Sequence, residues 1–253
     1  MLYDKLTLLT PNWPAPAQVK VAISCRNTGY SQGVYTAGNL ALHVDDDPLL
    51  VAKNRRALQH QIGVQHIQWL EQVHGTHVAN ALPDGLTRTA DACITEQTHL
   101  ACSVMTADCL PLLLCDQAGT QVAAVHAGWR GLAKGVIAET VKQFTGKPNQ
   151  LLAYLGPAIS KTHFEVGVDV LEAFFELAGN SDAADAIANA FQPSLKPLKF
   201  YADLYALARL ALAQAGVNNI YGGDFCTFSD VDRFYSYRRD GQTGRMASLI
   251  WLD

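Results

Sequence analysis

Between residues 67 and 127 the chain places six short apolar runs close together, at 67–70, 77–82, 92–95, 101–106, 111–115 and 121–126. Runs of this length are strands rather than helices, and six of them in succession must build sheets. Segments of helical pattern lie on both sides of this block, so the expected class is α/β, with helices covering sheet faces. Charged residues make up only 17% of the chain, against roughly 25% in a typical soluble domain. The 253 residues are therefore expected to form an interior-rich globule that buries roughly 70–75% of its unfolded surface.

Local signals fix several elements. Val19–Ser24 alternates like a strand and leads into a loop at 26–38 thick with Gly, Asn, Ser and Thr. A first helix is expected with Asp47 as N-cap and Pro48 at its first position, with Leu50, Ala57, Leu58 and Ile62 on one face and a stop at Gly63. A second should run over 129–144, with Leu132, Val136, Ile137 and Val141 inward, before a Leu151–Leu155 strand closed by Gly156-Pro157. Helices are predicted at 168–177, 183–190 and 203–215, the last stopped by Gly216. At the end, 235–238 and Met246–Leu252 flank the turn-rich stretch Asp240-Gly241-Gln242-Thr243-Gly244 and read as a hairpin. No linker or repeat divides 1–253, which points to a single domain with residues 1–18 as an N-terminal extension.

The net charge of −4 and the lack of any Lys/Arg-rich run argue against nucleic acid as a partner. The start, Met1-Leu2-Tyr3-Asp4-Lys5, has an acid where a signal peptide is basic, and Pro11, Pro14 and Pro16 interrupt any apolar core. The longest apolar runs, such as 110–115, fall far short of the roughly 20 residues of a membrane span. A cytoplasmic location is expected, with no membrane and no obligate protein partner. There Cys25, Cys93, Cys102, Cys109, Cys115 and Cys226 stay reduced, and no C-x-x-C spacing suggests a zinc ribbon or a thioredoxin-type motif.

Three segments end apolar runs with polar residues: Gln72-Val73-His74-Gly75, Thr106-Ala107-Asp108-Cys109, and His126-Ala127-Gly128-Trp129-Arg130-Gly131. Two imidazoles and a thiolate from three segments supply three zinc ligands, and three protein ligands with an open fourth position is the arrangement of a catalytic zinc. From the residues alone, His77 competes with His74 for this role. The turn after His126 offers free backbone N–H groups, and Arg130 adds a cation that could receive an anion such as phosphate.

The segments QVHGTHV, ADACIT, VMTADCLPLLL, VAAVHAGWRGLAKGV, YLGPAIS, FEVG and YSYRRDGQTGRMASLIWL resemble, in order, the signature blocks of the laccase-domain family, also called multicopper polyphenol oxidoreductases. The resemblance runs from about residue 19 to 252. It implies a layered α-β-β-α sandwich with mixed sheets and a zinc-binding active site at His74, Cys109 and His126, choosing His74 over His77. The implied activity is that of a purine nucleoside phosphorylase acting on adenosine, inosine, guanosine and methylthioadenosine, together with adenosine deamination. Purine nucleosides and phosphate are thus the expected small-molecule partners. Arg26 and Arg130 are the candidate phosphate clamp, and Asn39 is a candidate for contact with the ribose or base. Where the family carries Thr-Arg and then a Gly-Gly loop, this chain has Cys25-Arg26-Asn27-Thr28-Gly29-Tyr30.

Two other readings arise from the same residues. A copper polyphenol oxidase, with a blue-copper centre and a trinuclear cluster, uses on the order of ten histidines by family analogy. This chain has eight and no His-x-His pair, so copper is expected only as an adventitious occupant. A metal-free hydrolase using Cys109 with His126 and His74 would act on peptidoglycan precursor peptides, as some bacterial relatives are implicated in doing.

Overall fold

A computed structural model describes residues 5–176 and 178–253. The apolar block folds into two sheets. The first has five strands in the order Leu8–Leu9, Val19–Ser24, Met246–Leu252, Leu100–Thr106, His66–Gln68. The second has six, in the order Asn219–Gly222, Leu151–Leu155, Leu110–Asp116, Val122–Ala127, Ala92–Thr95, Val78–Asn80. Both are mixed, since His66–Gln68 runs parallel to Leu100–Thr106 and Val78–Asn80 parallel to Ala92–Thr95 among otherwise mostly antiparallel pairs.

Side-chain alternation explains why the sheets stack and why helices cover them. Along Leu110–Asp116, Leu112 and Leu114 point to a core shared with the helices, whereas Leu113 and Cys115 point to a core shared with the other sheet. All four are fully buried. The inter-sheet core is completed by Ile23, Cys102, Val104 and Ile250 from the first sheet. Leu132, Val136, Leu207 and Leu212 cover the outer face of the second sheet, and Leu58 of the Pro48–Ile62 helix packs with Ala22, Met105 and Leu249 on the outer face of the first. Burying each such leucine stabilises by about 1.5–3 kcal/mol. The result is the four-layer α-β-β-α sandwich, a single α/β domain with mixed sheets.

The first helix has the expected ends: the Asp47 carboxylate accepts from Leu49 N, and Gly63 adopts the left-handed conformation at φ 74°. Elsewhere three expectations give way. The helix expected at 129–144 is two, Trp129–Ala133 and Val136–Val141, because Gly135 takes φ 88° between them, a conformation open to glycine at little cost. The 67–70 run changes partner midway, so that Leu70–Glu71 pairs with Arg88–Thr89 instead. The terminal hairpin does not form. Both edges of Met246–Leu252 are occupied, by Val19–Ser24 and Leu100–Thr106, and Ser236 instead caps a short Tyr237–Asp240 helix by accepting from Arg239 N.

The helix expected over 168–177 is observed as Val168–Phe175, with Leu177 outside the described residues, as is the Met1–Asp4 start. A three-stranded sheet of Glu165–Gly167, Lys199–Ala202 and Phe191–Pro193 appears where no strand pattern was evident. No helix among the described residues is long and apolar enough to cross a membrane. All six cysteines are free.

Candidate metal centre and cavity

His74, Cys109 and His126 converge at one end of the sandwich, with their ligand atoms all within 4.8 Å of one another. His126 comes from the end of the Val122–Ala127 strand, Cys109 from just before Leu110–Asp116, and His74 from the loop after Leu70–Glu71. His126 and Cys109 thus arrive on adjacent antiparallel strands, where Ala127 faces Leu110.

His74 reaches the cluster through a left-handed backbone, φ 58°, which costs a residue other than glycine on the order of 1–3 kcal/mol. Asp91 holds it there. Its buried carboxylate accepts from the backbone N–H of Val73 at 3.2 Å, His74 at 2.9 Å and Gly75 at 2.6 Å. The same carboxylate accepts from His126 Nδ1 at 2.8 Å, which fixes the ring so that Nε2 faces the cluster. A carboxylate behind a histidine is the usual support of a metal-ligating imidazole. Burial pushes the Asp91 pKa up, but the His126 hydrogen bond and the loop N–H groups outweigh it and keep the pKa below the ordinary value.

Asp108, before the thiol, also has a positive φ, 92°. Thr227 Oγ1 donates to it at 2.6 Å, Arg238 N donates at 2.7 Å, and Ile159 N donates to its carbonyl. Cys109 Sγ lies 3.9 Å from His74 Nε2. Burial opposes the thiolate, yet the neighbouring His126 and His74 bring the Cys109 pKa down to about 6. Burial likewise opposes the His126 cation, but Cys109 and Asp91 raise its pKa to about 9. Cys109 is therefore held in its ligating form, and a bound cation would take the place of the proton shared with His126.

The residues fit such an ion. Two imidazole nitrogens and a thiolate are a zinc donor set, and their ligand atoms are grouped closely enough to hold one ion. Gly128 leaves the space between them: a Cβ there would lie 2.9 Å from His74 Cδ2, 3.1 Å from Cys109 Sγ and 3.2 Å from His126 Nε2.

The cluster opens into a cavity of about 420 Å³ whose walls include His43, Gln72, Met105, Tyr237 and Arg245. Gln72 is pinned by the Met105 backbone, accepting from its N at 2.7 Å and donating to its O at 2.9 Å. Arg245 is the arginine of this wall. Asn39 is fully buried with its side chain fully used: Oδ1 accepts from Ala41 N and Arg245 N, and Nδ2 donates to Ala41 O and Asp46 Oδ2. It meets the cavity through Arg245. Arg26 lies elsewhere, 3.7 Å from Asp240 and over the Tyr235 ring, and exposed Arg130 stacks on Trp129; neither lines the cavity. His77 is exposed and outside the cluster.

Sequence reading singled out the three cluster residues but missed Asp91 and Arg245. Asp91 left one signal, a lone acid opening a buried apolar strand, Asp91-Ala92-Cys93-Ile94. Arg245 lay within a quoted block with nothing local to distinguish it from Arg238 and Arg239.

Residues 20–253 match the family model described as multi-copper polyphenol oxidoreductase laccase. A Pseudomonas aeruginosa protein named a purine nucleoside phosphorylase is 50% identical over 244 residues, covering 96% of this chain and 98% of its own. One from Escherichia coli with the same activity in its name is 45% identical over 247 residues, covering 97% and 98%. The crystal structure of a Neisseria meningitidis protein superposes with a TM-score of 0.91 at 52% identity, covering 97% of this chain and 99% of that one. With a model match across nearly its whole length and relatives this similar, the chain belongs to the multi-copper polyphenol oxidoreductase laccase family.

Proposed function

We propose that this protein is a zinc-dependent purine nucleoside phosphorylase of the cytoplasm that cleaves adenosine, inosine, guanosine and methylthioadenosine and also deaminates adenosine. The observation that carries this reading is one cavity whose walls hold both the His74–Cys109–His126 cluster and the Arg245 cation. The names of the P. aeruginosa and E. coli relatives support the activity. The described residues bring together a single His/Cys/Asp/Glu group, which favours one ion over the several coppers of a polyphenol oxidase.

His74, Cys109 and His126 would hold the zinc, which when bound supplies Lewis acidity and an activated water at neutral pH. The chain's own residues do the rest. Asp91 keeps His126 and the His74 loop in register, so the ligands are placed before substrate arrives. Arg245 draws phosphate into the cavity, its backbone steadied by Asn39 and its guanidinium by the Thr243 and Gly244 carbonyls at 2.8 and 3.0 Å. In phosphorolysis a phosphate oxygen bonds to the ribose carbon as the bond to the base breaks. In deamination the oxygen of water bonds to the purine carbon that carries the amino group, the C–N bond breaks and the amino group leaves as ammonia, and no phosphate is consumed.

Adenosine incubated with the enzyme should yield adenine only when inorganic phosphate is present, and inosine with or without it. Arg245→Ala should raise the KM for phosphate at least about tenfold, the loss of one charge-assisted contact of about 1.5–3 kcal/mol, with a smaller change in kcat. Neither adenine nor inosine from the zinc-loaded enzyme would reject the reading, and an unchanged phosphate KM would reject the role of Arg245.

One observation favours a second reading. Cys109, His126 and Asp91 also form a nucleophile, base and orienting acid, as in a cysteine hydrolase. That enzyme would retain full activity after chelation, whereas the proposed one would lose it.

A further inference from the structure

A second cluster of reactive groups lies away from the metal centre, around Cys226. Its Sγ accepts from Ser160 Oγ at 3.0 Å and from Ser229 Oγ at 3.4 Å, and His163 Nδ1 stands 3.7 Å away. The His163 ring is held by stacking on Phe228, with centroids 4.3 Å apart. The backbone carrying the thiol is anchored on both sides: Thr227 N donates to Ala158 O, Thr227 Oγ1 donates to Asp108, and Tyr205 Oη donates to Phe225 O. Beside it opens a cavity of about 390 Å³, with Cys226 and Ser229 in its wall.

We propose that Cys226 is a second reactive site of this protein, a thiol that small hydroperoxides oxidise to a sulfenic acid beside Ser160, His163 and Ser229. The thiolate sulfur bonds to the terminal peroxide oxygen, which keeps its hydrogen, and the O–O bond breaks. The alkoxide, or hydroxide where the oxidant is hydrogen peroxide, leaves and takes up from solvent the proton that the thiol released on ionising. Sulfur gives up two electrons and the peroxide accepts them. The serine hydroxyls donate to the charged form of the sulfur and so favour it.

Asp224, Asp230, Asp232 and Arg233 line the cavity beside the thiol, the Tyr205 hydroxyl lies on the Leu204–Gln214 helix, and Arg239 and Arg238 bond to the Thr227, Phe228 and His163 carbonyls around the cluster. Arg233 is engaged by Asp230 at 2.6 Å. Burial raises the Cys226 pKa, but the Ser160 and Ser229 hydroxyls and backbone N–H groups outweigh it and bring it to about 6, so the thiolate forms as pH rises through that value. Cys25, Cys93, Cys102 and Cys115 differ in being buried, and burial first of all pushes Cys25 up to about 11 and Cys115 up to about 12. Cys109 belongs to the metal centre.

The test treats zinc-loaded protein with limiting hydrogen peroxide in the presence of dimedone and locates the adduct by peptide mass spectrometry. Cys226 should carry at least about tenfold more label than any of the four buried cysteines. Its alkylation by iodoacetamide should reach half its maximal rate near pH 6. In Ser229→Ala, an exposed position whose change leaves the fold intact, that midpoint should move up and labelling at neutral pH should fall about threefold. Label at Cys226 no greater than at the buried thiols, or a midpoint that Ser229→Ala leaves unmoved, would overturn the proposal. Because the readout is the adduct and not nucleoside turnover, its failure would leave the proposed enzyme activity untouched.

Discussion

Gly128→Ala should greatly weaken metal binding while leaving the sandwich folded. The backbone at Gly128 sits at φ −61° and ψ 151°, a conformation any residue adopts, so alanine brings no conformational penalty. Its methyl group, however, would stand between the three ligands, 2.9 Å from His74 Cδ2 and 3.1 Å from Cys109 Sγ. Neither side chain can yield easily: the Asp91 carboxylate fixes the His74 loop, and Cys109 follows Asp108, held by Thr227 and Arg238. The ligands must spread, and spreading them takes apart the site. Zinc affinity should fall at least about 100-fold, beyond the loss usual for a change outside the ligand set. Stability should fall by only about 1–3 kcal/mol, the ordinary cost of an added methyl in a packed site. Zinc titration and thermal melts of the metal-free proteins check both. A variant that binds zinc as tightly as wild type would show that the ion lies elsewhere.

Asp91→Asn should reduce both metal affinity and stability. The carboxylate accepts four donors, Val73 N, His74 N, Gly75 N and His126 Nδ1. An asparagine replaces one accepting oxygen with an NH₂ that faces donors, and it removes the charge that balances the His126 ring. Breaking a buried charge pair from one side costs about 3–5 kcal/mol, which for a chain of this length lowers Tm by roughly 6–20 °C. Zinc affinity should fall about 10–100-fold, because His126 loses its orientation and His74 the support for its left-handed backbone. A Tm within about 2 °C of wild type would show that Asp91 is not the anchor of this end of the molecule.

The contrast between Pro48–Ile62 and Asp91 shows what the sequence could reveal. The helix is bounded by Asp47, two residues from the N–H it accepts, and by Gly63 at its own end, so its limits are local. Asp91 gathers donors 16 to 35 residues away, and no local spacing announces them. The terminal hairpin failed for the same reason. The turn residues at 240–244 were legible, but the two strands that flank Met246–Leu252 come from far away in the chain. Strand alternation made the sheet block readable, since Leu112 and Leu113 must point to opposite faces whichever strand lies beside them. At the site, residue type and strand-end position suggested His126 and Cys109. The preference for His74 over His77 came from the family resemblance, and the structure places His74 alone of the two in the cluster.

The central claim is that one metal ion, held by His74, Cys109 and His126, serves the nucleoside chemistry. Its most direct test measures zinc content and adenosine phosphorolysis together, on wild type and on folded Cys109→Ala. Wild type should hold about one zinc per chain and release adenine in the presence of phosphate, and both zinc and activity should be lost in the variant, since two remaining ligands bind zinc poorly. Full zinc occupancy in Cys109→Ala, or undiminished adenine release from the zinc-free variant, would contradict the account.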